Sequence, residues 1–93
     1  MSEDRELLQR VGLGVEAESF LGSNLGRYLI ERAEGERDDA VEDLKEANPD
    51  DPKGIRDLQN RIWRAESVQF WLADLINDGR NAMHELQARE ATD

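Results

Sequence analysis

Residues 52–89 read PKGIRDLQNRIWRAESVQFWLADLINDGRNAMHELQAR. Within them Ile55, Leu58, Ile62, Ala65, Gln69, Leu72, Ile76, Gly79, Met83 and Leu86 follow one another at alternating steps of three and four. Such a run keeps one stripe of an α-helix against a neighbouring helix over its whole length. Pro52 suits the first helical position, where a missing N–H removes no hydrogen bond. Asp51 before it offers a capping carboxylate. The stretch therefore predicts a long helix over about 52–89, and the rest of the chain must cover it.

Working upstream, Gly26, Ile30, Ala33, Arg37, Ala40, Leu44 and Ala47 form a second seam of the same period. Every seventh residue in it is small, so this helix, expected over about 23–47, can lie close to its neighbour. Ser23 and Asn24 are suited to cap it. Leu25, Leu29 and Val41 are expected to widen its apolar stripe. Asn48-Pro49-Asp50-Asp51-Pro52 stops one helix and starts the next, since Pro49 disfavours helix at Asn48. So short a connection implies an antiparallel helical hairpin. In that register Arg37 faces the 62–66 stretch and is expected to pair with Glu66, because a buried guanidinium needs a partner. Gln69, polar within an apolar seam, is expected to set the register.

The N-terminal stretch is shorter in pattern. Ser2 is placed to cap a first short helix whose apolar edge is Leu7, Leu8 and Val11. Gly12 and Gly14 are expected to end it. Val15 to Leu21 reads as a second short helix, with Ala17, Phe20 and Leu21 turned inward. These two cover Met83 and Leu86, where the longer arm overhangs. The register brings Gly79 near Gly22, and the chain is expected to fray after Arg89. The predicted fold is all-α, a single helical domain over residues 1–93: a long antiparallel hairpin with two short N-terminal helices packed on its overhanging end.

Composition narrows the function. The chain has 22 acidic and 12 basic residues and a net charge of −10, spread along its length. A surface of that sign is repelled by nucleic acid and by anionic lipid, so neither is an expected partner. Ten of the basic residues are arginine, which pairs geometrically with carboxylates. There is no cysteine, hence no disulfide and no thiolate chemistry. The polar, acidic N-terminus and the absence of a long apolar run argue against a secretory signal and a membrane span.

His84 is the only histidine, and Asn81 stands where a di-iron helix would carry a glutamate three residues earlier. One histidine without cysteine cannot build a zinc site. Glu31, Glu34, Asp38, Asp39, Glu42 and Glu46 form an acidic face on the first long helix. Paired carboxylates on neighbouring helices can hold Mg²⁺, as in all-α nucleotide pyrophosphatases. Glu66 and Asp74 are too sparse to supply the second, inward-facing set, so a solvated face is the expected role. Gly12-Leu13-Gly14 lacks the strand and lysine of a phosphate loop. No cofactor, no metal and no catalytic residue are expected, and the chain is read as a non-enzyme.

Aromatic residues carry the positive signal. Trp71, with Val68 and Leu75, is expected to widen the buried stripe on one flank of the long helix. Trp63 and Phe70 fall on the other flank, past Glu66 and Ala73, about ten residues from the overhang. They have no evident partner within the chain, and exposed aromatics tend to mark an interface. Arg56 and Arg64 lie close by and can meet carboxylates of a neighbour. Net charge opposes self-association, but salt screens it to about 8 Å at physiological strength.

Leu25-Gly26-Arg27-Tyr28-Leu29 with Glu31-Arg32-Ala33, followed by Leu58-Gln59-Asn60 and Arg64-Ala65-Glu66, resembles small helical-hairpin proteins encoded by tailed bacteriophages. The resemblance spans about residues 15–88. It implies a protein of the bacterial cytoplasm of an infected host, or of the virion. The expected function is a non-enzymatic interaction or assembly protein, a phage virion or morphogenesis component acting as an oligomer. Its partners are then copies of itself or another phage or host protein. The alternative is an acidic inhibitor that mimics nucleic acid charge to block a host protein, with the Glu31 to Glu46 face as its working surface. An all-α nucleotide hydrolase is a third reading.

Overall fold

A computed structural model describes the chain over residues 2–92, with side chains over residues 3–91. Among the described residues it is all-α, with three helices: α1 (Ser2–Gly22), α2 (Asn24–Lys45) and α3 (Pro52–Thr92). No helix among them is long and apolar enough to cross a membrane. The chain divides into two compact units that share α3. One is Met1–Ser23 with Phe70–Asp93, and the other is Asn24–Gln69.

In the first unit α1 runs antiparallel to the C-terminal part of α3. Asp4 pairs with Arg89 at 2.8 Å, and further along α1 the backbone at Gly14 meets that at Leu75 and Gly79. Two short N-terminal helices were expected here; α1 is instead one unbroken helix of 21 residues. Gly12 and Gly14 do not end it, and no glycine has a positive φ. The physical reason is packing. A Cβ on Gly14 would stand 3.0 Å from the Leu75 carbonyl oxygen and 3.1 Å from the Gly79 Cα. A Cβ on Gly79 would stand 3.0 Å from the Arg10 carbonyl oxygen and 3.1 Å from the Gly14 Cα. Glycine is present at 14 because two backbones touch there, not because a helix stops. Gly79 therefore faces Gly14 and not Gly22, which has open space around it.

This contact sets the inward faces. On α1 Leu7, Gly14 and Ala17 are buried, with Arg10 and Leu21 half-buried, whereas Leu8 points to solvent. On α3 Ala82 is fully buried, and Met83, expected in the seam, lies at its edge, 39% exposed and lining the cleft against α1. A leucine, methionine or other long side chain at 82 would hold the helices apart, so the small residue takes the inner place and the flexible one fills the edge. Ion pairs edge the seam. The Arg10 Nε and Nη2 donate to the two Asp78 carboxylate oxygens at 2.9 and 2.8 Å. Arg80 reaches Glu18 at 2.9 Å, and Arg89 also reaches Glu3 at 3.1 Å and Glu85 at 3.3 Å. The Asp78 hydrogen bonds raise the Arg10 pKa above its ordinary value, and hydrogen bonding to Asp4 does the same for Arg89. At the C-terminal end of α1 the Ser23 hydroxyl donates to the Phe20 carbonyl at 2.6 Å. The Ser2 side chain, expected to cap α1, lies outside the described residues, and α3 continues helical past Arg89 to Thr92.

In the second unit α2 packs on the N-terminal part of α3. The expected α2 seam is the observed one: Gly26 and Ala40 are buried, and Ile30, Ala33, Arg37, Leu44 and Ala47 are half-buried. Ala65 is buried on α3, so small residues again set the approach. Leu25 and Leu29, expected to widen the α2 stripe, are exposed. Arg37 does not pair with Glu66. Its guanidinium lies 3.2 Å from the carboxylate of the adjacent Asp38, and the cross-helix pair is Arg61 with Asp43 at 3.8 Å. Arg37 keeps enough access to water that a solvated neighbour satisfies it, and a buried partner is not required.

The connection is built as a β-turn. The Asp51 N–H donates to the Asn48 carbonyl at 3.0 Å, with Pro49 in the position that favours such a turn. The Asp50 N–H donates to the Asn48 side chain at 2.9 Å. The Gly54 N–H then donates to the Asp51 carboxylate at 3.1 Å, the expected cap on α3, with Pro52 as first helical residue. Gln69 lies half-buried in the seam, and its side-chain nitrogen has no partner among the described residues.

Candidate functional site

Apart from Leu7, the buried apolar core is made of small side chains, Ala17, Ala40, Ala65 and Ala82, and among the described residues no large side chain is fully buried. Close helix approach through glycine and alanine leaves bulky apolar residues outside the seams. Their positions on the surface are where function must be sought, because exposed aromatics carry a hydration cost that a partner removes.

In the Asn24–Gln69 unit, Trp63 is 70% exposed on α3. It lines an open groove of about 360 Å³ with Asp57, Asn60, Arg61 and Arg64. Arg56 and Arg64 are exposed, as expected of residues that flank an interface. Ser67, four residues on, is buried although it lies outside the seam, and its hydroxyl donates to the Trp63 carbonyl at 2.7 Å. The sequence pattern did not single it out. Tyr28 on α2 is also more than half exposed.

In the other unit Phe70 is 58% exposed and Trp71 is 63% exposed. Trp71, Val68 and Leu75 were expected to be buried, and all three are exposed. The seam in each unit is closed by alanine and glycine, so the helices leave no space between them for an indole. The period of three and four located the seam, but it could not tell how wide the buried stripe would be.

The acidic face is solvated. Glu31, Asp38, Asp39, Glu42 and Glu46 are exposed and Glu34 is half-buried. Asp38 is paired with Arg37, and Glu42 receives the Lys45 ammonium at 3.0 Å. Basic side chains thus interleave with the acidic ones, which dilutes the field a charge mimic would need. Among the described residues no three His, Asp or Glu side chains gather as a metal site. His84 is exposed. A cleft of about 190 Å³ between α1 and α3 is floored by Gly14 and Gly79 and has mostly apolar walls, with only Glu18 and Arg80 charged, already paired with each other.

The surface therefore offers aromatic area flanked by arginine, and acidic area on another helix. That arrangement can bind a protein surface. No protein-family model, no curated protein and no solved structure matches the chain.

Proposed function

We propose that the chain is a non-enzymatic interaction protein that assembles with copies of itself through the exposed aromatic residues of α3. The observation that carries this reading is the inversion of core and surface. Alanine and glycine, with Leu7, are inside, while Trp63, Phe70 and Trp71 are all more than half exposed. The α2–α3 pair is read as an antiparallel hairpin, a single layer of helices that needs another layer to bury its bulky side chains. In keeping with the resemblance to phage-encoded hairpin proteins, the assembly served is a virion or its morphogenesis in an infected bacterium.

Sedimentation of the wild type and of Trp63→Glu/Phe70→Glu tests the reading. Both residues are exposed, so the variant is expected to keep its helical circular-dichroism signal. The wild type is expected to gain mass with concentration at roughly micromolar levels, and the variant to stay monomeric. A wild type that remains monomeric at tens of micromolar overturns the proposal.

A further inference from the structure

We infer that the occupant of the Trp63 groove is the acidic outer face of α2 from a second copy, so that copies join head to tail. This inference rests on the self-association proposed above. Its basis is a segregation of charge within the Asn24–Gln69 unit. α2 carries seven acidic residues against four basic ones. Residues 52–69 of α3 carry four basic residues against two acidic ones. Each helix of the pair is therefore the electrostatic complement of the other.

Pairs within α2, Arg32 with Glu36, Arg37 with Asp38 and Lys45 with Glu42, meet part of this charge, but the outward arginines of α3 cannot reach the outer face of α2 in the same chain. The outer faces of two packed helices point in opposite directions. Arg56, Trp63 and Arg64 lie away from the seam of α3, and Glu31, Asp39 and Glu42 lie away from the seam of α2, all exposed. Among the described residues of α3, Arg61 crosses to an α2 carboxylate, Asp43, at 3.8 Å. A second copy can bring its α2 against the first copy's α3. Trp63 then supplies the apolar centre of the contact, and arginine–carboxylate pairs form its rim and choose its partner.

The two faces are different and lie on opposite sides, so the contact is heterologous. Each added copy leaves one face of each kind open, and growth continues unless a ring closes.

The test uses two variants of the full chain, each altered on one face at exposed positions. Trp63→Glu/Arg64→Glu removes the groove, and Asp39→Ala/Glu42→Ala removes the acidic face. Each alone is expected to lower self-association by about tenfold or more, since the rim charges choose the partner. An equimolar mixture retains one intact face of each kind. It is expected to form a 1:1 complex of wild-type affinity, and nothing larger, by sedimentation. Wild type that associates while the mixture fails to form this complex overturns the docking of α3 on α2 and leaves self-association standing. Wild type that stops at a dimer overturns the head-to-tail arrangement. Monomeric wild type overturns the self-association reading itself.

Discussion

Gly14 and Gly79 show most directly how one atom sets the packing of this protein. Both sit in mid-helix, where glycine costs about 1 kcal/mol relative to alanine. A methyl group at either position would press on the opposite backbone at 3.0–3.1 Å. Gly12, two residues before Gly14 and on another face of α1, has nothing within 4 Å of its would-be Cβ, and neither has Gly35 on α2. Gly12→Ala and Gly35→Ala are therefore expected to raise stability by about 0.5–1 kcal/mol, through backbone entropy alone. Gly79→Leu is expected to lower it by about 1–3 kcal/mol, because a long side chain must part α1 from α3. Urea unfolding at one fixed protein concentration measures all three, with Gly14→Ala, expected to be less stable than Gly12→Ala, as a fourth. Equal midpoints for Gly12→Ala and Gly14→Ala would contradict the close approach.

At the scale of elements, α3 owes its start to a cap and its course to a seam. The Asp51 carboxylate accepts the Gly54 N–H, one of the donors that a helix N-terminus leaves without an intrahelical partner. A side chain at position 54 would meet that carboxylate, the far end of a flexible side chain that can shift. Asp51→Ala is expected to cost about 1 kcal/mol, while Asp51→Asn or Asp51→Ser retains most of the stability. Thermal or urea unfolding of the three variants checks this ranking; equal loss in all three would mean that the side-chain bond is idle. In α1 the seam Leu7, Arg10, Gly14, Ala17, Leu21 keeps the same alternation of three and four as α2 and α3. That period was present in the letters. It was masked by reading two glycines as stops, and it is the burial of Gly14 that restores it.

For the whole molecule, exposed area is the governing quantity. The 7247 Å² left to solvent includes Trp63, Phe70, Trp71 and Tyr28. Burial of such side chains in an assembly stabilises the folded chain by mass action, since partners bind the native state and not the unfolded one. The unfolding temperature of the wild type is therefore expected to rise with protein concentration. In Trp63→Glu/Phe70→Glu it is expected to be independent of concentration. Calorimetric scans at several dilutions distinguish the two, and a wild-type value that does not move with dilution would count against assembly.

Local sequence alone determined the all-α class, the seam of α2, the Asn48–Asp51 turn and the cap on α3. These are local properties: steps of three and four select a helical stripe, and proline and aspartate have fixed positional uses at a helix start. Exposure of Trp63, Phe70, Arg56 and Arg64 was legible for the same reason, since all four fall off the stripe. Tertiary packing alone decided that α1 is one helix, that Gly79 meets Gly14, that Ala82 displaces Met83 from the seam, and that Trp71 stays in solvent. Each of these depends on the distance between two helices. That distance is set by which small residues from remote parts of the chain fall opposite one another, and no spacing within a single helix encodes it.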